Sequence, residues 1–193
     1  MIYLSIDIET TGLNPETCQI LEIGAIYENS KIAHPFDTIP TFRAILAHNF
    51  IQGEPNGLKM NNSLIESIID YSTGDRSNNL PFFNPETVLD RLFEWYRHIY
   101  IQREHMEPQH LINVAGKNFG SFDYQFLKKL PNNTPYNFNH KVLDPGSLYF
   151  NNELDWTLPG LDKCKERAGI SGKVSHTALG DAWDVIQVLR YVL

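Results

Sequence analysis

Between Ile2 and Glu9 the chain alternates without a break, with Ile2, Leu4, Ile6 and Ile8 on one side and Tyr3, Ser5, Asp7 and Glu9 on the other. A period of two is that of a strand. Thr-Gly-Leu-Asn-Pro then makes a turn, CQILEIGAIYE reads as a second strand and TFRAILAH as a third. The short links predict an antiparallel meander. The period then lengthens. Leu64, Ile65, Ile68 and Ile69 predict an amphipathic helix after an Asn61–Asn62 start, and Asn84-Pro85 opens a longer one with Val88, Leu89, Leu92, Phe93, Tyr96 and Ile99 inside. HLINVAG follows as a buried strand, SFDYQFLKKL as a helix, HKVLD as a strand, LPGLDKCKERAG as a helix and HTALGDAWDVIQVLRYVL as the closing helix. Residues 71–84 and 131–139 read as polar loops containing Asn and Pro. No repeat or composition shift interrupts the pattern, so residues 1–193 are expected to form one domain around a full core. Three antiparallel strands followed by helix–strand units predict an α/β protein: a mixed sheet with helices on both faces.

Four acids break this pattern. Asp7 and Glu9 lie two apart on the first strand, so they point the same way, opposite the isoleucines. Asp123 sits on the apolar stripe of Phe126, Leu127 and Leu130, and Asp181 stands above Val185, Val188, Leu189 and Val192 at helical spacing. An ionised carboxylate turned toward a core is costly unless compensated. For Asp123 or Asp181 alone a helix cap would suffice. Two such residues, beside a strand bearing Asp-x-Glu, weaken that reading and point to divalent cations between the carboxylates. An all-oxygen donor set favours Mg²⁺ or Mn²⁺ over zinc.

Charge narrows the partners. The net charge of −7 argues against a protein that coats nucleic acid by charge alone. Residues 1–110 carry 7 basic and 15 acidic side chains, residues 111–193 carry 9 and 8. A phosphate-facing surface is therefore expected from the C-terminal half, with Lys117, Lys128, Lys129, Lys163, Lys165, Arg167 and Lys173 as candidates. Two cysteines, Cys18 and Cys164, make no disulfide framework, and a reducing cytoplasm is the expected location. The opening MIYLSIDIETTG is apolar only briefly, has no basic start and breaks at Asp7, so no secretory or membrane segment is expected.

Three stretches carry a resemblance: Asp7-Ile8-Glu9-Thr10-Thr11-Gly12-Leu13, Asn118-Phe119-Gly120-Ser121-Phe122-Asp123, and His176-Thr177-Ala178-Leu179-Gly180-Asp181. In order and spacing they resemble the three motifs of the DEDDh exonuclease superfamily, which includes the proofreading subunit of bacterial DNA polymerase III, ribonuclease T and oligoribonuclease. ILEIGA and VLDP look familial too, and the likeness runs from Met1 to Leu193. It implies a ribonuclease H-like fold and metal-dependent hydrolysis of single-stranded DNA or RNA from a free 3′ hydroxyl, releasing 5′-mononucleotides. It also implies two ions: Asp7, Glu9 and Asp181 hold one, Asp7 bridges to the second, and Asp123 assists through water. His176, five residues before Asp181, is implied as the general base. A histidine's ordinary pKa of about 6.5 suits that role near neutrality.

The resemblance extends to substrate contacts. Backbone N–H groups of Thr10, Thr11 and Gly12 are candidates to receive the 3′ hydroxyl, and Leu13 to press on the terminal base. Met60 and Asn61 fall where relatives place substrate-facing residues, and packing with an Asn helix cap is the alternative. Asn118 belongs to the second motif. Phe119 and Phe122 are candidates for base stacking, with at least one expected in the core. Lys117 is a candidate phosphate contact. A polymerase or a second copy of the chain is a candidate partner; the helix around Trp95, Tyr96 and Tyr100 either serves the latter or simply packs. A non-catalytic binding module on the same fold would be expected to have lost an acid or the histidine, and none is lost. An unrelated metal-dependent phosphohydrolase would not carry all three motifs. Other signals are bland: His105, Glu107 and His110 read as a solvated loop broken by Pro108, Asp144 as a turn cap, Asp184 as exposed and Cys164 as core.

Overall fold

A computed structural model describes residues 1–172 and 175–193, so the candidate Lys173 lies outside the described residues. The sheet has six strands: β1 (Ile2–Thr10), β2 (Ile20–Asn29), β3 (Thr41–Leu46), β4 (Phe82–Phe83), β5 (Leu111–Ala115) and β6 (Asn137–Leu143), in the order β4-β3-β2-β1-β5-β6. The first three form the expected antiparallel meander, and β4, β5 and β6 add in parallel to β3, β1 and β5. The helices are α1 (Pro55–Met60), α2 (Asn62–Ser72), α3 (Val88–Glu104), α4 (Asp123–Leu127), α5 (Pro145–Leu148), α6 (Leu161–Arg167) and α7 (Ala178–Leu189).

The faces of β1 divide the core. Leu4, Ile6 and Ile8, with Ile23, Ala25 and Tyr27 of β2, pack under Val88, Leu92 and Phe93 of α3 and Phe126 of α4. On the other face Tyr3 and Ile26 meet Ala182, Val185, Ile186 and Leu189 of α7, while Ile45 meets Ile65 and Ile68 of α2. Helices thus cover both faces, which is why every residue of β2 except Asn29 is buried.

Several expectations change. The loop expected over 71–84 contributes β4, whose two residues are strand only because they pair with Ile45 and Leu46. The loop expected over 131–139 gives its last three residues to β6. Helix α1 was not expected. Helix α3 begins at Val88 after a turn rather than at Pro85, and α4 is confined to Asp123–Leu127. Of the two readings of the helix around Trp95, Tyr96 and Tyr100, packing is the one observed. Tyr96 is buried, and Trp95 and Tyr100 pack on the core against Phe42 and Tyr27. Asp184 is buried as well, because Lys165 of α6 reaches it at 2.7 Å, with side chains 5% and 9% exposed. Cys18 and Cys164 are free and buried. Among the described residues no helix is long and apolar enough to cross a membrane.

Candidate active site

The acids meet where β1 emerges past β5. Pairing between these strands covers only Leu4 and Ser5 of β1, so the next part of β1 has no strand on that side. The side chain of Asp123 takes the vacant place, its Oδ1 accepting the Ile8 N–H at 3.1 Å. Asp181 arrives from the other direction. Gly24, the cross-strand partner of Asp7, carries no side chain, and a Cβ there would stand 2.4 Å from the backbone of Ala178 and Leu179. The first turn of α7 therefore rests directly on the sheet. The Ser5 hydroxyl donates to the Ala182 carbonyl at 2.7 Å and fixes the helix one turn further on. The result is that one carboxylate oxygen from each of Asp7, Glu9 and Asp181 lies within 4.8 Å of the others. Asp123 stands behind them, 2% exposed.

Such crowding is unfavourable for anions. The Asp7 carboxyl is pushed well above the usual carboxylate range, by burial first and then by Asp123, Asp181, Glu9 and Glu22. Glu9 is pushed up to about 7 by burial, Asp181 and Glu22, against a hydrogen bond from Asn61. Asp123 is also held at about 7, chiefly by burial, although its own N–H and that of Ile8 favour the anion. Asp181 is raised less simply: burial lifts it, while the Ser175 hydroxyl, the His176 N–H and the His176 ring pull it down. Three converging carboxylates held above their ordinary range, offering oxygen only, fit a hard divalent cation.

His176 has left-handed backbone, φ 54°, a region histidine enters more readily than bulky or branched residues. Its N–H donates to Asp181 Oδ1 at 3.2 Å, so the acid also fixes the segment that carries the imidazole. His176 lines a cavity of about 260 Å³ together with Glu9, Met60 and Asn61. A larger cavity of about 580 Å³, beside Trp183 and Arg190, contains none of the acids.

The remaining sequence candidates fall into place unevenly. The Thr10–Leu13 turn is braced by α1: Gly57 packs against the Thr11 carbonyl carbon, the Glu54 carboxylate accepts the Leu13 N–H, and the Asn61 amide donates to the Thr10 carbonyl. The Thr11 N–H donates to the Gln19 carbonyl, so the turn has fewer uncommitted donors than its sequence offers. Leu13 and Met60 are 74% and 75% exposed. Phe119 is buried in the core, whereas Phe122 is half-buried against Phe126. Asn118 is exposed at φ 60°, its N–H held by the Asp144 carboxylate. The same carboxylate caps α5 through the Gly146 N–H and pairs with Lys117 at 3.6 Å. The basic residues expected to face phosphate are largely committed within the protein. Lys129 pairs with Glu16, Lys163 with Glu166, Lys165 with Asp184 and Arg167 with Asp155. Sequence reasoning passed over Glu22 and Arg43, which border the site. The available signal was a glutamate inside the apolar run of β2.

No family model matches the chain, and comparison with curated proteins finds no relative. Among solved structures it is similar to the zinc-ion-bound form of an E. coli ExoI–ssDNA complex, with a TM-score of 0.65 over 99% of this chain at 15% identity. The fold is ribonuclease H-like. The likeness takes in 40% of the E. coli chain, so this chain spans less than half of that protein's length.

Proposed function

We propose that this chain is a metal-dependent 3′–5′ exonuclease acting on single-stranded nucleic acid. The observation that carries the reading is the convergence of Asp7, Glu9 and Asp181 within 4.8 Å, beside a cavity that Glu9 shares with His176. The presence of single-stranded DNA in the structurally similar ExoI complex supports the substrate class.

Asp7, Glu9 and Asp181 would hold Mg²⁺ or Mn²⁺, and Asp123 would assist through water. Bound cations supply charge neutralisation at the scissile phosphate and an activated water. The chain's own groups do the rest. The His176 imidazole accepts the proton of the attacking water, held in place through the bond from its backbone to Asp181. Thr10–Leu13, stiffened by α1, closes over the terminal nucleotide, with Leu13 and Met60 offering exposed apolar surface to its base. By the resemblance to DEDDh exonucleases, this turn would receive a free 3′ hydroxyl, and an added 3′-phosphate would block binding.

A time course with Mg²⁺ or Mn²⁺ on 5′-labelled DNA and RNA oligonucleotides tests this. Stepwise shortening from the 3′ end with release of 5′-mononucleotides is expected, and a 3′-phosphate should block it. Cuts in a circular single strand, or rapid digestion of the capped oligonucleotide, would overturn the proposal.

A further inference from the structure

Glu22 and Arg43 border the acids without a part in the chemistry described. Glu22 is the cross-strand partner of Glu9, on the same face of the sheet, and is 2% exposed. Arg43 of β3 donates to it from Nε at 2.6 Å. Among the described residues, neither terminal amino group of Arg43 has a hydrogen-bond partner. An arginine serving only to neutralise a buried carboxylate gains most by presenting two nitrogens as a fork. Among the described residues Arg97 presents such a fork to Glu107, and Arg190 and Arg167 do so to less exposed acids. Arg190 grips Glu28 through Nε and Nη2 at 2.8 and 2.9 Å, and Arg167 grips Asp155 through Nη1 and Nη2, both at 2.6 Å. Arg43 touches its acid at one point and leaves the fork unused.

The fork is positioned by the same packing that builds the site. The cross-strand partner of Arg43 is Gly24, over which the first turn of α7 lies. Arg43, Glu22 and Thr177 together wall two cavities of about 260 and 320 Å³. The first also contains Glu9, Asn61 and His176, and the second Leu179 and Gly180. The Arg43 side chain is 37% exposed there. Two acids, Glu9 and Glu22, line this cleft, and one fixed cation offsets the repulsion they impose on an incoming polyanion.

We infer that Arg43 is a substrate-binding residue, whose free terminal amino groups hold a phosphate oxygen of the terminal nucleotide and of the released 5′-mononucleotide. The identity of the ligand rests on the exonuclease reading. The anion chemistry rests on the guanidinium alone.

The test is calorimetric titration with a 5′-mononucleotide and with its nucleoside, in Ca²⁺, using the wild type, Arg43→Gln, Glu22→Gln and the double variant. KM and kcat are measured in parallel on a 5′-labelled oligonucleotide with Mg²⁺. Arg43→Gln should weaken mononucleotide binding and raise KM by roughly tenfold, the scale of one charged hydrogen-bonding contact. Nucleoside binding should be unchanged and Glu22→Gln should retain affinity. The double variant should stay as weak as Arg43→Gln, and because its buried pair is neutral on both sides it also serves if the single variant folds poorly. Recovery of wild-type affinity and KM in the double variant would overturn the inference, since Arg43 would then only neutralise Glu22. Equal loss of nucleoside and mononucleotide binding would overturn it too. Arg43-dependent mononucleotide binding by a wild type that hydrolyses nothing would sustain the inference while defeating the exonuclease reading.

Discussion

Asp123→Asn should stabilise the metal-free protein, and by an amount that depends on pH. Asp123 is 2% exposed, and its carboxyl is raised from 3.8 to about 7, mainly by burial. The folded chain therefore binds this proton more tightly than the unfolded chain does. That part of the stability is present in full below about pH 3.8 and is lost as the pH climbs through about 7. Asparagine carries no charge at either end of the range, and its carbonyl can still accept the Ile8 N–H. At about 1.4 kcal/mol per tenfold change, the variant should gain roughly 4 kcal/mol over wild type at pH 8 but only about 1–2 kcal/mol at pH 5. For a chain of this size about 4 kcal/mol corresponds to a rise in Tm of roughly 8–16 °C. Thermal unfolding of both proteins in EDTA at the two pH values measures this directly. An unchanged Tm at pH 8, or the same gain at pH 5 and pH 8, would refute the argument that burial of this carboxylate opposes folding.

Other outcomes follow from the same geometry. Mn²⁺ at about a hundred times its Kd should stabilise the wild type by about 2.7 kcal/mol. Asp7→Asn and Asp181→Asn should lose most of that thermal shift and nearly all hydrolysis, and full activity of either variant, or of wild type in EDTA, would contradict the metal assignment. His176→Ala should reduce kcat by roughly 10²–10⁴-fold while keeping the metal-dependent thermal shift, and should remove the acidic limb of the pH–rate profile. A variant that retains that limb would make His176 structural. Gly24→Ala drives a methyl to 2.4 Å from the α7 backbone, so it should lower stability by roughly 1–3 kcal/mol and displace Asp181. The checks are Tm and Mn²⁺ affinity, and wild-type values for both would show that α7 does not need direct contact with the sheet.

The sequence by itself determined the parts that depend on local periodicity. The alternation over Ile2–Glu9 gave β1 and put Asp7 and Glu9 on one face, because a strand's period of two admits no other outcome. The 3.6-residue stripes gave α2, α3 and α7, and apolar neighbours marked Asp123 as a buried acid. What it lacked was distance. The existence of β4 depends on pairing with β3, about 37 residues earlier in the chain, and no local propensity announces a two-residue strand. Asp184 looked exposed on its own helix and is buried because Lys165 arrives from α6. Only the tertiary structure decided that α7 could settle on Gly24 and carry Asp181 to Asp7, and that Asp123 would substitute for a missing strand at Ile8. The same holds for the basic residues. Their number and position in the chain were legible, but which of them had already paired within the protein, and that Arg43 kept its terminal amino groups uncommitted beside the cleft, follows from long-range packing. A charge count records side chains, while the field at a site depends on where their partners fold.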